Sequence, residues 1–194
     1  MINSAYQALR RVIEEYTAIS EQTWSELTKI LHFRALNRHD ILYAAGSVPS
    51  SFSFVVTGLF RAFTNDNNGT EYNKIFFEEG SFPGSMAALL ESKPSIFTIE
   101  ALENSTIIEL EFPGYRKLMQ EKEDLKLFQI YYLEKNWLLA KEARELEIVQ
   151  NDSTQRYLKF LNEHASLHDR LPQYHIASYL GITPTQLSRI RKNL

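Results

Sequence analysis

Hydrophobic positions in the first thirty residues recur at helical spacing. Leu9, Val12, Ile13 and Tyr16 fall at i, i+3, i+4 and i+7, the stripe of a short amphipathic helix. Ser20 is placed to cap a second helix, with Trp24, Leu27, Ile30 and Leu31 as its buried stripe. From Ile41 to Glu111 the period drops to two and turn residues multiply. Six strands are predicted, at 41–44, 52–57, 59–64, 70–77, 96–101 and 105–110. Gly46, Gly58, the polar run Asn65-Asp66-Asn67-Asn68-Gly69 and Gly80 separate them. Many short strands with polar turns predict a small antiparallel roll or sandwich.

Phe112-Pro113-Gly114 closes the strand region, and a helical pattern runs from Tyr115 to about Val149, with a break expected between 121 and 124. Its second part spans roughly 26 residues, or about 39 Å at 1.5 Å per residue. Leu125, Phe128, Tyr132, Leu139, Leu146 and Val149 take heptad a/d positions, interrupted by Lys135 and Glu142. Ile130, Leu133, Trp137 and Ala140 widen the apolar face. A helix that is apolar on two sides must touch two things, and the simplest pair is its own strand domain and a second copy of itself. The a/d set is therefore the candidate dimer interface. Asn151-Asp152-Ser153-Thr154 reads as a break and a cap, and Tyr157, Leu158 and Leu161 start a further helix to about His164.

The last 24 residues read as two short helices around a tight turn. Gly181 follows Leu180, where a helix favours a residue tolerant of left-handed backbone. Thr183 caps the second helix, Pro184 fits its first position, and Gln186 stands three residues after the cap. Small Ala177 lets the helices approach. At about 100° per residue, Leu187, Ile190 and Leu194 point to a core, while Thr185, Ser188, Arg189 and Lys192 point away from it. Hydroxyls with one Arg and one Lys suit base edges and phosphates in a major groove. The pattern predicts a helix-turn-helix with residues 184–194 as recognition helix. Arg189 is the candidate guanine reader, Thr185 and Ser188 address neighbouring base edges, and Arg191 and Lys192 hold phosphates. Thr183 and Gln186 flank this surface, with Gln186 engaged by the cap. An ordinary solvated αα-hairpin is the alternative.

Charge sharpens the picture. The chain of 194 residues is 44% hydrophobic, enough for a real core, and its net charge of −3 argues against a nucleic-acid protein. Residues 150–194, however, hold six Lys/Arg against three Asp/Glu, leaving fifteen against twenty-one in the remainder. The reading head is +3 and the body −6, which discourages DNA from lying elsewhere. No cysteine is present, so disulfides, thiolate zinc and cysteine-ligated iron–sulfur clusters are excluded. The N-terminus has no apolar leader and no run reaches membrane-spanning length, so a cytoplasmic location is expected.

The order of elements resembles the Crp/Fnr family of bacterial transcription regulators, and the motifs that carry the likeness span nearly the whole chain. Residues 54–61 (FVVTGLFR) resemble the family's strand–glycine–strand signature, 68–71 (NGTE) its hairpin, and 77–85 (FEEGSFPGS) the segment entering its ligand pocket. Lys93-Pro94-Ser95 with residues 99–103 (IEALE) resembles the Bacteroidetes branch. The resemblance implies an α+β fold: an N-terminal antiparallel β-roll (jelly-roll-like) with flanking helices, a long central dimerisation helix, and a C-terminal winged-like helix-turn-helix. It divides the chain into a cyclic-nucleotide-binding-like sensor at 1–121, the dimerisation helix at 122–149 and the DNA-binding domain at 150–194. It implies a homodimer on near-palindromic double-stranded DNA, with RNA polymerase as a further partner. The effector pocket it implies involves Gly84, Ser85, Met86, Ser95, Ile96 and Trp137.

Members that bind cyclic AMP carry a glutamate where this chain has Ser85 and an arginine at or near Ser95. Without that arginine the charge-assisted phosphate contact is lost, so cyclic AMP in the familiar mode is not expected, and an effector of another kind is. Fnr-type oxygen sensing needs the missing cysteines, and His32, His39, His164, His168 and His175 form no haem or metal motif. His175, on the first helix of the helix-turn-helix, is expected to contact backbone or phosphate. The link 165–170 is too short for a full β-hairpin wing. A cupin-type enzyme would need histidines converging on a strand face, and 41–111 contains none; catalysis is not expected. A small-molecule-binding or protein-interaction module without DNA reading leaves 183–194 without a purpose.

Overall fold

A computed structural model describes residues 2–66 and 68–194, and of Ala143 and residues 146–149 the backbone alone. Two helices, α1 (Ile2–Glu14) and α2 (Glu21–Leu27), open the chain. Ser20 caps α2 by accepting from the Thr23 amide at 3.1 Å. The helical stripe stops earlier than its periodicity predicts: a short 3₁₀ turn follows Leu27, and Leu31 already begins strand β1 (Leu31–Leu36). Its side chains alternate only weakly between faces, which hides it from a period-two reading.

Six further strands follow: β2 (Ile41–Tyr43), β3 (Ser51–Thr57), β4 (Phe60–Asn65), β5 (Glu71–Phe77), β6 (Thr98–Ala101) and β7 (Ser105–Glu111). They form a three-stranded sheet, β1-β7-β3, and a four-stranded sheet, β2-β6-β4-β5, antiparallel throughout. A short helix, α3 (Met86–Glu91), interrupts the path between β5 and β6 and was not predicted. One core lies inside the roll, built from Val55, Phe60, Ala62, Ile99, Ala101 and Ile107. Strand β3 is buried on both faces: Phe52 and Phe54 turn the other way, into a second core shared with the helices.

Helices α4 (Phe112–Glu121) and α5 (Glu123–Leu133) meet at Lys122, where the backbone becomes extended. After α5 the central helix widens into a π-helical turn, Glu134–Leu139, before α6 (Ala140–Gln150). The Asn136 amide lies there, donating to the Tyr132 carbonyl at 3.0 Å and to the Tyr16 hydroxyl at 2.8 Å. A side chain that bonds the backbone four residues earlier competes with the helical ladder, and wide turns of this kind are short and local.

Two residues of the predicted dimer seam are not available to a partner. Leu125 and Phe128 are fully buried in the protomer's own core, against α1, α2 and α4. Tyr132 is half-buried on the same core, edge-on to Tyr16 with ring centroids 5.8 Å apart. Leu139 is 61% exposed. Leu146 and Val149 lie outside the residues whose side chains are described. The face left open is the second stripe, Ile130, Leu133 and Trp137, with Tyr131 and Leu138 beside it. Spacing alone could not rank the two stripes, because both repeat at helical intervals. The core of α1 and α2 claims one of them.

The chain ends in α7 (Ser153–Glu163), α8 (Gln173–Leu180) and α9 (Pro184–Lys192). Between α7 and α8 lie turns only, so the described residues form no β-hairpin wing, in contrast to the winged-like expectation.

Leu125→Ala should cost about 3 kcal/mol of folding stability, the usual penalty for truncating a fully buried leucine, at any protein concentration. Leu139→Ala should move it by about 0.5 kcal/mol or less. Urea unfolding at two protein concentrations checks both.

Candidate functional site

The C-terminal helices take their places for local reasons. Gly181 adopts φ 68°, a conformation that costs glycine nothing and a side chain something, and its amide reaches back to the Ala177 and Ser178 carbonyls. Thr183 then starts α9 with a reciprocal cap: its hydroxyl accepts from the Gln186 amide at 3.1 Å, and its own amide donates to Gln186 Oε1 at 2.8 Å. Gln186 and the Thr183 hydroxyl are thereby occupied. Leu187 is fully buried and Ile190 packs partly beneath it, whereas Leu194, expected inward, is 64% exposed beyond the end of the helix. Thr185, Ser188, Arg189, Arg191 and Lys192 are all exposed. Arg156 and Arg170 are spent elsewhere, on main-chain carbonyls and on carboxylates. The positive charge free to meet an anion in this region is therefore concentrated on α9.

The head is docked on the roll through α8 and β5. His175, expected to contact backbone or phosphate, is buried, and its ring meets the side chains of Asn73 and Arg61 instead. Asn73 Nδ2 donates to His175 Nδ1 at 3.1 Å and to the His175 carbonyl at 3.2 Å, and Arg61 Nη1 approaches Nδ1 at 3.4 Å. With donors on both sides, Nδ1 must be the unprotonated acceptor, so Nε2 carries the hydrogen. Arg61 is itself buried and is held by Glu100 Oε2 at 2.9 Å from Nε and 2.7 Å from Nη2. Its Nη1 turns to Glu71 and to Asn73 Oδ1. Ser178 completes the seam, taking the Asn73 amide at 2.9 Å and donating to the Glu71 carbonyl. A second clamp fixes the link between α7 and α8: Arg170 is bidentate to Glu79 and to Glu103, at 2.8–3.0 Å. Phe76 and Leu59 of the roll share a core with Tyr157, Phe160, Ala177 and Leu187. Docking thus covers α8 and leaves the outer face of α9 open.

None of Arg61, Asn73, Glu100 or Arg170 was predicted to be functional. A signal was present: Arg61 interrupts Leu59-Phe60-Arg61-Ala62-Phe63 and Glu100 interrupts Ile99-Glu100-Ala101. A lone charge in an apolar strand calls for a buried partner, and the register places these two opposite each other.

The predicted effector residues divide. Met86 and Trp137 line one cavity of about 30 Å³, with Phe52, Phe82, Tyr115, Phe128, Gln129, Tyr132 and Leu133. That is room for a water or two, not for a metabolite, so any larger guest requires the lining to move. Gly84 sits beside it, so close to Phe52 that an added Cβ would lie 2.7 Å from that side chain. The polar atoms of the lining are joined, Tyr115 donating to Gln129 at 2.8 Å, and burial pushes the Tyr115 phenol far above its ordinary range. Ser85 begins α3 without capping it. Ser95 spends its hydroxyl on Phe97, donating to the carbonyl at 2.8 Å and accepting from the amide at 3.1 Å, and Ile96 is 70% exposed. Ser85 and Ser95 supply no charge for a phosphate. Among the described residues no group of three or more His, Cys, Asp or Glu could hold a metal ion, and no helix is long and apolar enough to cross a membrane.

Residues 33–122 match the family model for the cyclic nucleotide-binding domain. This segment is similar to that family. The whole chain has the fold of Crp/Fnr regulators. It superposes on the c-di-GMP-responsive global regulator CLP of Xanthomonas campestris with TM-score 0.71 at 16% identity, covering 90% of this chain and 91% of that one. FixK2 of Bradyrhizobium japonicum gives 0.72 at 17% identity, covering 85% and 84%. The catabolite activator protein of Thermus thermophilus gives 0.57 at 15%, covering 92% and 85%. No curated protein matches the chain by sequence.

The seam between the cyclic nucleotide-binding domain and α8 should respond to pH. Burial first, and then the charge of Arg61, lower His175 to about 4 from its ordinary 6.5. Glu100 and Glu71 oppose that shift and His39 adds to it. The imidazole is neutral when docked and titrates normally when released, so docking is at full strength above pH 6.5. It weakens by about 1.4 kcal/mol per pH unit as pH falls from 6.5 toward 4. Protection of residues 173–180 from hydrogen exchange should fall between pH 7 and pH 5, and His175→Gln should flatten that fall. Equal slopes in the two proteins would show that another group controls the seam.

Proposed function

We propose that the protein is a homodimeric, sequence-specific DNA-binding transcription regulator whose affinity for DNA is set by a small-molecule effector. The observation that carries this reading is α9: a capped helix with Thr185, Ser188, Arg189 and Lys192 exposed on the side opposite buried Leu187. In the proposal Arg189 reads a guanine, Thr185 and Ser188 neighbouring base edges, and Arg191 and Lys192 hold phosphates. The protein is not proposed to be an enzyme.

The dimer half of the proposal draws on the exposed Ile130, Leu133 and Trp137, three large apolar side chains on one stretch of helix. Contiguous exposed apolar surface of this kind favours a partner, and a second copy supplies the same stripe about a two-fold axis. Division of labour follows the expected segments: 1–121 as sensor, 122–149 for pairing, 150–194 for DNA. A cytoplasmic location and contact with RNA polymerase belong to the same proposal. An effector acts by binding one of two arrangements of the central helix better than the other, which shifts the spacing of the two heads. Cyclic AMP in the familiar mode is not proposed, since Ser85 and Ser95 stand where its glutamate and arginine contacts would be.

Selection of random duplexes by the purified protein should enrich a near-palindrome with half-sites one helical turn apart. Arg189→Ala should cost about 1–3 kcal/mol and relax preference at one position per half-site. A uniform loss on all sequences would make Arg189 a phosphate contact. No enrichment, with or without an extract of small molecules, would favour an interaction module instead.

A further inference from the structure

Where α6 meets β5 stands a pair of cations that neither the seam nor the reading head uses. In the β4–β5 ladder Ala62 faces Ile75 and Phe63 faces Asn73, which leaves Lys74 in a bulge. Bulges re-aim side chains, and Lys74 carries its Nζ to 4.1 Å from the centroid of the Phe97 ring. Phe97 itself packs against the inner core of the roll. Arg144 arrives from α6 and donates to the Lys74 carbonyl at 3.2 Å. Its guanidinium lies 4.9 Å from the centroid of Tyr179, on α8. Both residues are exposed.

Among the residues whose side chains are described, the pair has no counter-charge. No carboxylate of the described residues is within ion-pair distance of Lys74 or Arg144. Glu71, nearby on β5, is committed to Arg61, and Glu145 to Lys141. Burial and the charge of Arg144 both hold Lys74 below the ordinary lysine range, with no acid opposing them. Two like charges brought together on a folded scaffold repel each other. An anion between them reverses the sign of that interaction, and a planar guanidinium beside an ammonium suits phosphate oxygens.

We propose that Lys74 and Arg144 form an anion subsite for the effector, which is a small molecule bearing a phosphate group. Occupancy ties β5 to α6 directly and reaches α8 through the Arg144–Tyr179 stack, so one ligand touches the roll and the central helix and is relayed to the helix that carries α9. Phosphate is thereby held from the strand-and-helix side of the roll rather than from the segment around Ser95. The inference rests on the reading of this chain as an effector-controlled regulator; duplex selection in the absence of added phosphate tests that reading separately.

The test uses the full chain, inorganic phosphate as probe, and sodium chloride at matched ionic strength as control. Phosphate should raise the melting temperature saturably, and titration calorimetry should give the same dissociation constant. Lys74→Met and Arg144→Met should each weaken binding at least about tenfold, the loss of one charge-assisted contact, while both variants melt as the native chain does without phosphate. An Arg189→Ala/Lys192→Ala double variant, which removes the cations of the reading face, should bind phosphate unchanged. Native-like binding by the two methionine variants would overturn the proposal. So would loss of binding in the double variant alone, or a native chain that responds no more to phosphate than to chloride.

Discussion

A buried guanidinium must be neutralised and hydrogen-bonded, or the fold that buries it is not stable. Arg61 meets that demand from two directions. Glu100, on the neighbouring strand, takes one edge, and Glu71, Asn73 and His175 meet the other. The first partner belongs to the roll and the last to the helix-turn-helix. The charge that satisfies the sheet therefore also fixes where α8 lies, and through α8 and Gly181 it fixes the direction of α9. Because the seam is polar and the core around Phe76 and Ala177 is apolar, docking has both a specific register and a driving force. Removing one member of such a cluster costs more than the contact itself, since the others stay buried and unpaired.

The central helix carries the opposite constraint, too much apolar surface for one neighbour. Leu125 and Phe128 go to the core shared with α1 and α2, and the turn around Asn136 widens the helix just where its second stripe emerges. Ile130, Leu133 and Trp137 are left in solvent. Trp137 also closes the small cavity below Phe82, so the same side chain stands at the cavity wall and on the face proposed for pairing. Changes at one are felt at the other without any long relay, which is the physical ground for coupling an effector to the distance between heads.

Much of this was legible from residue order. Thr183, Pro184 and Gln186 announce α9 because capping is local chemistry, and the turn at Gly181 follows from one backbone conformation. Most strands appear because short apolar runs are bounded by glycines and polar turns, although β3 and β4 are buried along most of their length rather than alternating. Strand β1 does not appear: Leu31 and Leu36 are its only buried residues, and the helical stripe before it runs on into Leu31. Assignment of the two apolar stripes was beyond the sequence, since Leu125 and Ile130 differ only in what α1 and α2 choose to cover. His175 was expected to meet backbone or phosphate because its actual partners, the side chains of Asn73 and Arg61, lie about a hundred residues away. The pair Lys74–Arg144 was hidden for the same reason. Ser95, matched by motif to a ligand-binding position, turns out to bond the backbone of Phe97, a local use that no alignment of motifs reveals.

The claim on which the account turns is that two chains pair along the central helix and hold their α9 helices one turn of DNA apart. Because the native chain has no cysteine, a single Asn193→Cys substitution, exposed at the end of α9 and outside the proposed base contacts, gives one spin label per protomer. Pulsed dipolar spectroscopy of the labelled protein on its selected duplex measures the distance between the heads. One narrow distribution centred at about 34 Å is expected, broadened or displaced without DNA. Absence of dipolar coupling at concentrations that saturate the duplex would mean that the protein does not act as a dimer, and the central claim would fall.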